Sequence, residues 1–158
     1  MQVTVSYKKP QVLQALRYHF IRKKEIRLMI ILVNVFALFA AGLLAYRKVT
    51  PLAFLISSLL WFTIMMAFWW LLPATIYKRS ATFKDSFNVM IEKDHFFIDN
   101  NRGTIKTWSW REFSEFVESP QFFHLYFDAR SFFLLPKDVF KNEDDIQAAR
   151  TLMRERIG

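Results

Sequence analysis

Cysteine is absent from this chain, and glycine occurs only at Gly42, Gly103 and Gly158. The first absence excludes disulfides, thiolate metal sites and cysteine nucleophiles. The second excludes a glycine-rich phosphate loop, and there is no G-x-S-x-G elbow either. His19, His95 and His124 stand on three separate segments without metal-ligand spacing, so no metal and no cofactor is expected. Acid is scarce in one half only. Before residue 78, nine basic residues face Glu25 alone, whereas residues 78–158 hold thirteen basic and thirteen acidic side chains. The formal charge of +8 thus belongs to the first half. Nucleic-acid binding would need a basic stripe on a folded surface, and the second half is neutral, so no nucleic-acid partner is expected.

What is abundant is apolar. Hydrophobic residues make up 53% of the chain, and the long runs lie between Leu28 and Leu72. Residues 28–46 and 52–72 carry no charge. At ~1.5 Å per residue the first run reaches about 28 Å, close to the hydrocarbon thickness of a bilayer. Arg47, Lys48, Val49, Thr50 and Pro51 are too few to cross anything, so the runs form an antiparallel transmembrane hairpin. Thr50 caps the second helix, with Pro51 in its first turn. Pro73 marks that helix's end or a kink. Neither run shows the polar face of a soluble core helix. A cleaved signal peptide would have a shorter apolar core and no second span directly after it. Asn34, Ser57, Ser58 and Thr63 are the polar side chains within the runs, and no ionisable group marks a transport path. Ala40, Ala41, Gly42 and Ala45 form a small-residue patch, read as close packing within the hairpin or as a homodimer face.

Positive charge crowds the flanks of the hairpin more than its loop. The positive-inside rule therefore places both termini in the cytoplasm, with an aromatic belt at Trp69, Trp70 and Tyr77 on that side. Ahead of the first span, Val3, Val5 and Tyr7 alternate as in a strand, which is expected to pair with the sheet of the second half. Residues 11–24 then read as an amphipathic helix with Leu13, Leu16 and Phe20 on one face, able to run into the first span. Arg22, Lys23, Lys24 and Arg27 follow on the cytoplasmic side. Each gains about 1 kcal/mol near an anionic leaflet. They set topology, and they are also the candidate lipid-headgroup contacts.

From Thr82 the period changes from helical to two. Phe87, Val89 and Ile91 share a face, as do Phe123, Leu125 and Phe127. Six candidate strands follow one another through short connections, including a turn at residues 100–103 and another at 128–130, which predicts an antiparallel meander. The last element is a helix capped by Asn142. It carries Glu143, Asp144 and Asp145 in its first turn and Arg150, Arg154 and Arg156 late, an order that suits the helix dipole. Ile146, Ala149, Leu152 and Met153 form its apolar stripe. The fold class is α+β. A two-helix transmembrane hairpin is joined to a pleckstrin-homology-like (PH-like) antiparallel β-sheet or barrel closed by a C-terminal helix. The domains are 1–27 (strand and basic helix), 28–77 (hairpin) and 78–158 (β-domain).

Two stretches of the second half carry a family resemblance. Trp110 opens the run Trp110-Arg111-Glu112-Phe113-Ser114-Glu115-Phe116-Val117-Glu118. Further on, Phe132-Phe133-Leu134-Leu135 ends in Pro136-Lys137, with Phe140 after it. This pattern resembles the YcxB-like protein family, across nearly the whole chain. The resemblance implies a bacterial cell (inner) membrane protein with a PH-like module and brings no catalytic residue. It implies structural roles for Trp110 and Phe140 in the core, Pro136 as a strand stop, Glu118 as a cap or pair, and Lys137 in the Pro-Lys step. The expected function is a membrane-anchored interaction module, not an enzyme. Its partners are the bilayer and a protein, lipid or second copy met through the hairpin or at the cytoplasmic face. The alternative is a small accessory subunit of a transporter or channel.

Overall fold

The protein is described by a computed structural model over residues 1–100 and 103–158. The expected turn at 100–103 therefore falls partly on Asn101 and Arg102, outside the described residues. The chain divides into two compact units, Met1–Ala15 with Ser80–Gly158, and Leu16–Arg79.

The first unit is built from two antiparallel sheets. Gln2–Val5 (β1) pairs with Phe87–Ile91 (β2), as the alternation of Val3 and Val5 predicts; Val3 lies opposite Val89 and Val5 opposite Phe87. His95–Asp99 (β3) and Ile105–Ser109 (β4) complete a four-stranded sheet in the order β1-β2-β3-β4. Glu115–Glu118 (β5), Phe122–Tyr126 (β6) and Phe132–Pro136 (β7) form a second sheet in chain order. The six strands expected after residue 78 are thus present, and each sheet is a meander.

The barrel is not. The ladder breaks between β4 and β5, where Trp110–Glu112 forms a single 3-10 turn. Ser109 and Glu112 close that turn as a capping box, the Glu112 carboxylate accepting from the Ser109 N–H at 2.8 Å. The turn drops the Trp110 indole into the core, where its Nε1 donates to the Glu92 carbonyl at 2.9 Å. Leaving the sheet plane there is what keeps the two sheets separate instead of closed.

One core serves both sheets. Phe96 is fully buried and meets Trp110, Phe113 and Phe133 at centroid distances of 5.7, 5.8 and 5.3 Å. All three are the edge-to-face geometry that aromatic quadrupoles favour. Glu143–Ile157 (α5) packs on the Trp110 turn and on β5, burying Ala149 and Met153. Asn142 caps it as expected, accepting from the Asp145 N–H at 2.8 Å. The connection before β7 is tied by Asp128, whose carboxylate accepts from the N–H groups of Arg130 and Ser131. Tyr7 lies past the end of β1 yet still belongs to this unit: its hydroxyl donates to the Leu134 carbonyl at 2.6 Å, and its ring meets Phe83 edge-on.

Lys9–Arg22 (α1) is the predicted helix, but its buried stripe differs. Val12, Ala15, Leu16 and His19 are the buried positions, and Leu13 and Phe20 are only half-buried. The i, i+3, i+4, i+7 spacing is kept, one residue out of phase, because a buried histidine completes it. The helix does not run into the first span. Lys23 is extended (ψ 123°), and Lys24–Ala45 (α2) starts after it.

In the second unit α2 is followed by Pro51–Met66 (α3), a π-type segment Ala67–Leu71, and Leu72–Arg79 (α4). Both long helices are apolar and long enough to cross a membrane, with mean hydropathies of 2.6 and 2.0. None of the most apolar window of either is buried within the chain. In the connection, Arg47 takes the left-handed position (φ 54°) that glycine usually fills. Lys48 N–H bonds the Leu43 carbonyl at 2.8 Å, closing the first helix. Thr50 caps the second through Ala53 N–H, with Pro51 at its start. Pro73 neither ends nor interrupts the helical path. The helical segments run on to Arg79, and the hydrogen-bond ladder loosens to π-type just before the proline. A proline removes one donor and crowds the carbonyl four residues back, and one wider turn absorbs both effects.

Candidate functional site

The family-pattern residues converge within the first unit. Glu118, at the end of β5, receives Arg150 of α5 as a fork, Nε to Oε2 at 2.9 Å and Nη2 to Oε1 at 2.7 Å. Lys137, just beyond β7, donates to the same Oε1 at 2.6 Å. Arg154, one turn after Arg150, stands 3.6 Å from Oε2 and is 64% exposed against 22% for Glu118. The cluster ties the edge strand of the second sheet to the helix that covers the core. The Arg150 hydrogen bonds above all hold the Glu118 carboxyl down to about 2 from an ordinary value near 4.5; burial, the next largest cause, pushes the other way, and Lys137 lowers it further. Pro136 ends β7 opposite Phe122, and Phe140 is buried against Phe123. The sequence pattern pointed to Glu118 as a cap or pair. It did not point to Arg150 and Arg154, which read equally well as dipole partners. Their i,i+4 spacing on one helix face was the available signal.

Arg22, Lys24 and Arg27 are exposed in the second unit, and the Lys23 ammonium lies 5.9 Å from the centre of the Phe20 ring. His19 is the buried group near this run. Burial first, then the charges of Lys23 and Arg22, push its pKa from near 6.5 down to about 4. Below pH 6.5 the unfolded chain binds a proton that the folded chain refuses. The His19 contribution is therefore full above about 6.5 and falls as pH drops toward about 4. The thermal midpoint of the detergent-solubilised chain should decline across that window, and His19→Gln should flatten the decline.

A groove of about 870 Å³ runs between the two long helices and is lined by apolar side chains with Asn34, Ser57, Ser58 and Trp61. The polar groups turn back on their own helices. Asn34 donates to the Ile30 carbonyl at 2.8 Å, and Ser57 and Ser58 donate to Ala53 and Phe54 at 2.9 Å each. Thr63 does the same to Leu59. Among the described residues no cluster of three His, Cys, Asp or Glu side chains could hold a metal ion. His124 is buried in β6 with Nε2 2.9 Å from the Ser119 hydroxyl, a contact that lies inside the folded sheet.

Near the end of the second helix lies a feature that the sequence pattern had not singled out. Arg17 Nε donates to the Trp69 carbonyl, within the π-type segment, at 2.8 Å, and its guanidinium lies 5.7 Å from the centre of the Trp69 ring.

Together these features define a small two-sheet β unit with an ion-paired C-terminal helix, in a chain that also carries a hairpin of two long apolar helices. Residues 91–153 match the family model described as YcxB-like protein. The matched stretch runs from the end of β2 into α5 and contains Trp110, Glu118, Pro136, Lys137, Phe140 and Arg150. The resemblance holds there and does not reach the long helices, across which it was also expected. No curated protein and no solved structure matches the chain.

Proposed function

We propose that this protein is a membrane-anchored interaction module with no chemistry of its own. The two long helices embed in the inner membrane of a bacterial cell as a hairpin, with both termini cytoplasmic. The β unit is then held at the cytoplasmic face for a protein or lipid partner. The observation that carries this reading is the pair of uncharged helical runs whose apolar side chains no protein surface covers. In water about 25 cal/mol per Å² of such surface would oppose solubility, and lipid removes that cost. A PH-like reading of the β unit draws support from its four-plus-three antiparallel strands followed by a helix across the core. The accessory-subunit reading would rest on the groove between the long helices, whose polar groups are turned inward to their own backbones.

The lack of native cysteine makes the test direct. Single variants Ser6→Cys, Lys48→Cys and Ser131→Cys should be exposed, in intact spheroplasts, to a membrane-impermeant maleimide. Lys48→Cys alone should label, and all three should label after lysis. Labelling of Ser6→Cys or Ser131→Cys before lysis contradicts the orientation. A chain that is folded and monodisperse in plain buffer contradicts the anchor itself.

A further inference from the structure

Arg17 is held in place before any ligand arrives. Its Nε is committed to the Trp69 carbonyl, and its plane lies near the Trp69 ring. Among the described residues no carboxylate pairs with it, and its two Nη groups make no bond to the protein. Trp69 lies eighteen residues beyond Pro51, the first residue of the second long helix. At ~1.5 Å per residue that is about 27 Å, one hydrocarbon thickness, which puts Trp69 at a headgroup level if the Pro51 end lies at the other. Trp69 and Trp70 are both exposed, as interfacial aromatics are. A guanidinium fork whose donors are fixed loses little side-chain freedom on binding, and phosphate oxygens match the fork's geometry.

We propose that Arg17, anchored on the Trp69 carbonyl and beside the Trp69 ring, forms a binding site for the phosphate of an anionic phospholipid. Lys24 and Arg27 add unspecific surface charge; Arg17 supplies a fixed geometry. The proposal rests on the membrane reading above, and its test assumes only that the chain is studied in detergent or lipid.

The experiment measures retention of phosphatidylglycerol and phosphatidylcholine by the full-length chain, using native mass spectrometry from mixed micelles. Wild type should retain phosphatidylglycerol selectively. Arg17→Gln should weaken that retention about tenfold, the scale of one charge-assisted hydrogen bond. Arg17→Lys should recover part of it. Lys106→Gln removes one charge from β4 and should have no effect. Excess inorganic phosphate should not displace the lipid. Tryptophan fluorescence checks that each variant is folded. Retention unchanged in Arg17→Gln overturns the proposal, as does displacement by inorganic phosphate. A chain that proves soluble without lipid defeats the membrane reading instead, before this comparison is reached.

Discussion

Phe96→Ala should destabilise the β unit by about 3–5 kcal/mol, the largest single-residue effect expected in the chain. The ring is fully buried and touches Trp110 and Phe113 of one turn and Phe133 of β7. It also meets Trp108 at 6.2 Å. Truncation removes the central member of that group and leaves a hole bounded by both sheets. Strands held in ladders cannot move in to fill it, so most of the cavity cost remains. Thermal unfolding of the detergent-solubilised full chain, followed by near-ultraviolet dichroism, reads the loss directly because the aromatic signals come from the same cluster. Phe96→Leu keeps more of the volume and should cost about 1–2 kcal/mol. If the alanine variant melted within a degree or two of wild type, the shared core would be wrong.

The second large effect concerns Glu118. Glu118→Gln removes the charge that Arg150 and Lys137 share and leaves two half-buried cations facing each other. A fully buried pair broken this way loses about 3–5 kcal/mol; here water still reaches the cluster, so about 2 kcal/mol is expected. The pH dependence separates this from a packing defect. The unfolded carboxyl takes up its proton near 4.5 and the folded one near 2. The stabilisation is therefore complete above about pH 4.5 and disappears as pH falls through about 2. The window lies below that of His19, so an acid titration of wild type should show two declines. Glu118→Gln should remove only the lower one. Double-mutant cycles with Arg150→Gln and Arg154→Gln should give strong coupling for the first and weak coupling for the second, which is mostly exposed at 3.6 Å.

How much of this could be read from the residues alone differs by element. The two long apolar helices were legible because two runs hold no Asp, Glu, Lys, Arg or His, and that gap is visible without coordinates. Thr50 with Pro51, and Asn142 with its following acids, were legible because a cap is a local contract between neighbours. The pairing of β1 with the sheet followed from alternation at Val3 and Val5. The split into two sheets was not legible. It depends on where the Trp110 indole finds a carbonyl, and that acceptor belongs to Glu92 on another strand connection. The phase of α1 was missed because a histidine counts as polar in a periodicity search, and His19 is buried all the same. Pro73 read as an end or a kink; the helical segments run past it to Arg79, with a π-type widening at Ala67–Leu71 that no rule of near neighbours announces.

The order of residues by itself settled which stretches form long apolar helices, that six strands and a capped last helix follow, and that no cysteine or glycine-loop chemistry is available. These are properties of composition and of near neighbours, so they survive without a fold. Only the tertiary structure decided that Glu118 meets Arg150, that the sheets stay open at Trp110, and that Arg17 reaches the Trp69 carbonyl. Each of those contacts closes a long loop, and which distant donor meets which acceptor is fixed by how the elements pack.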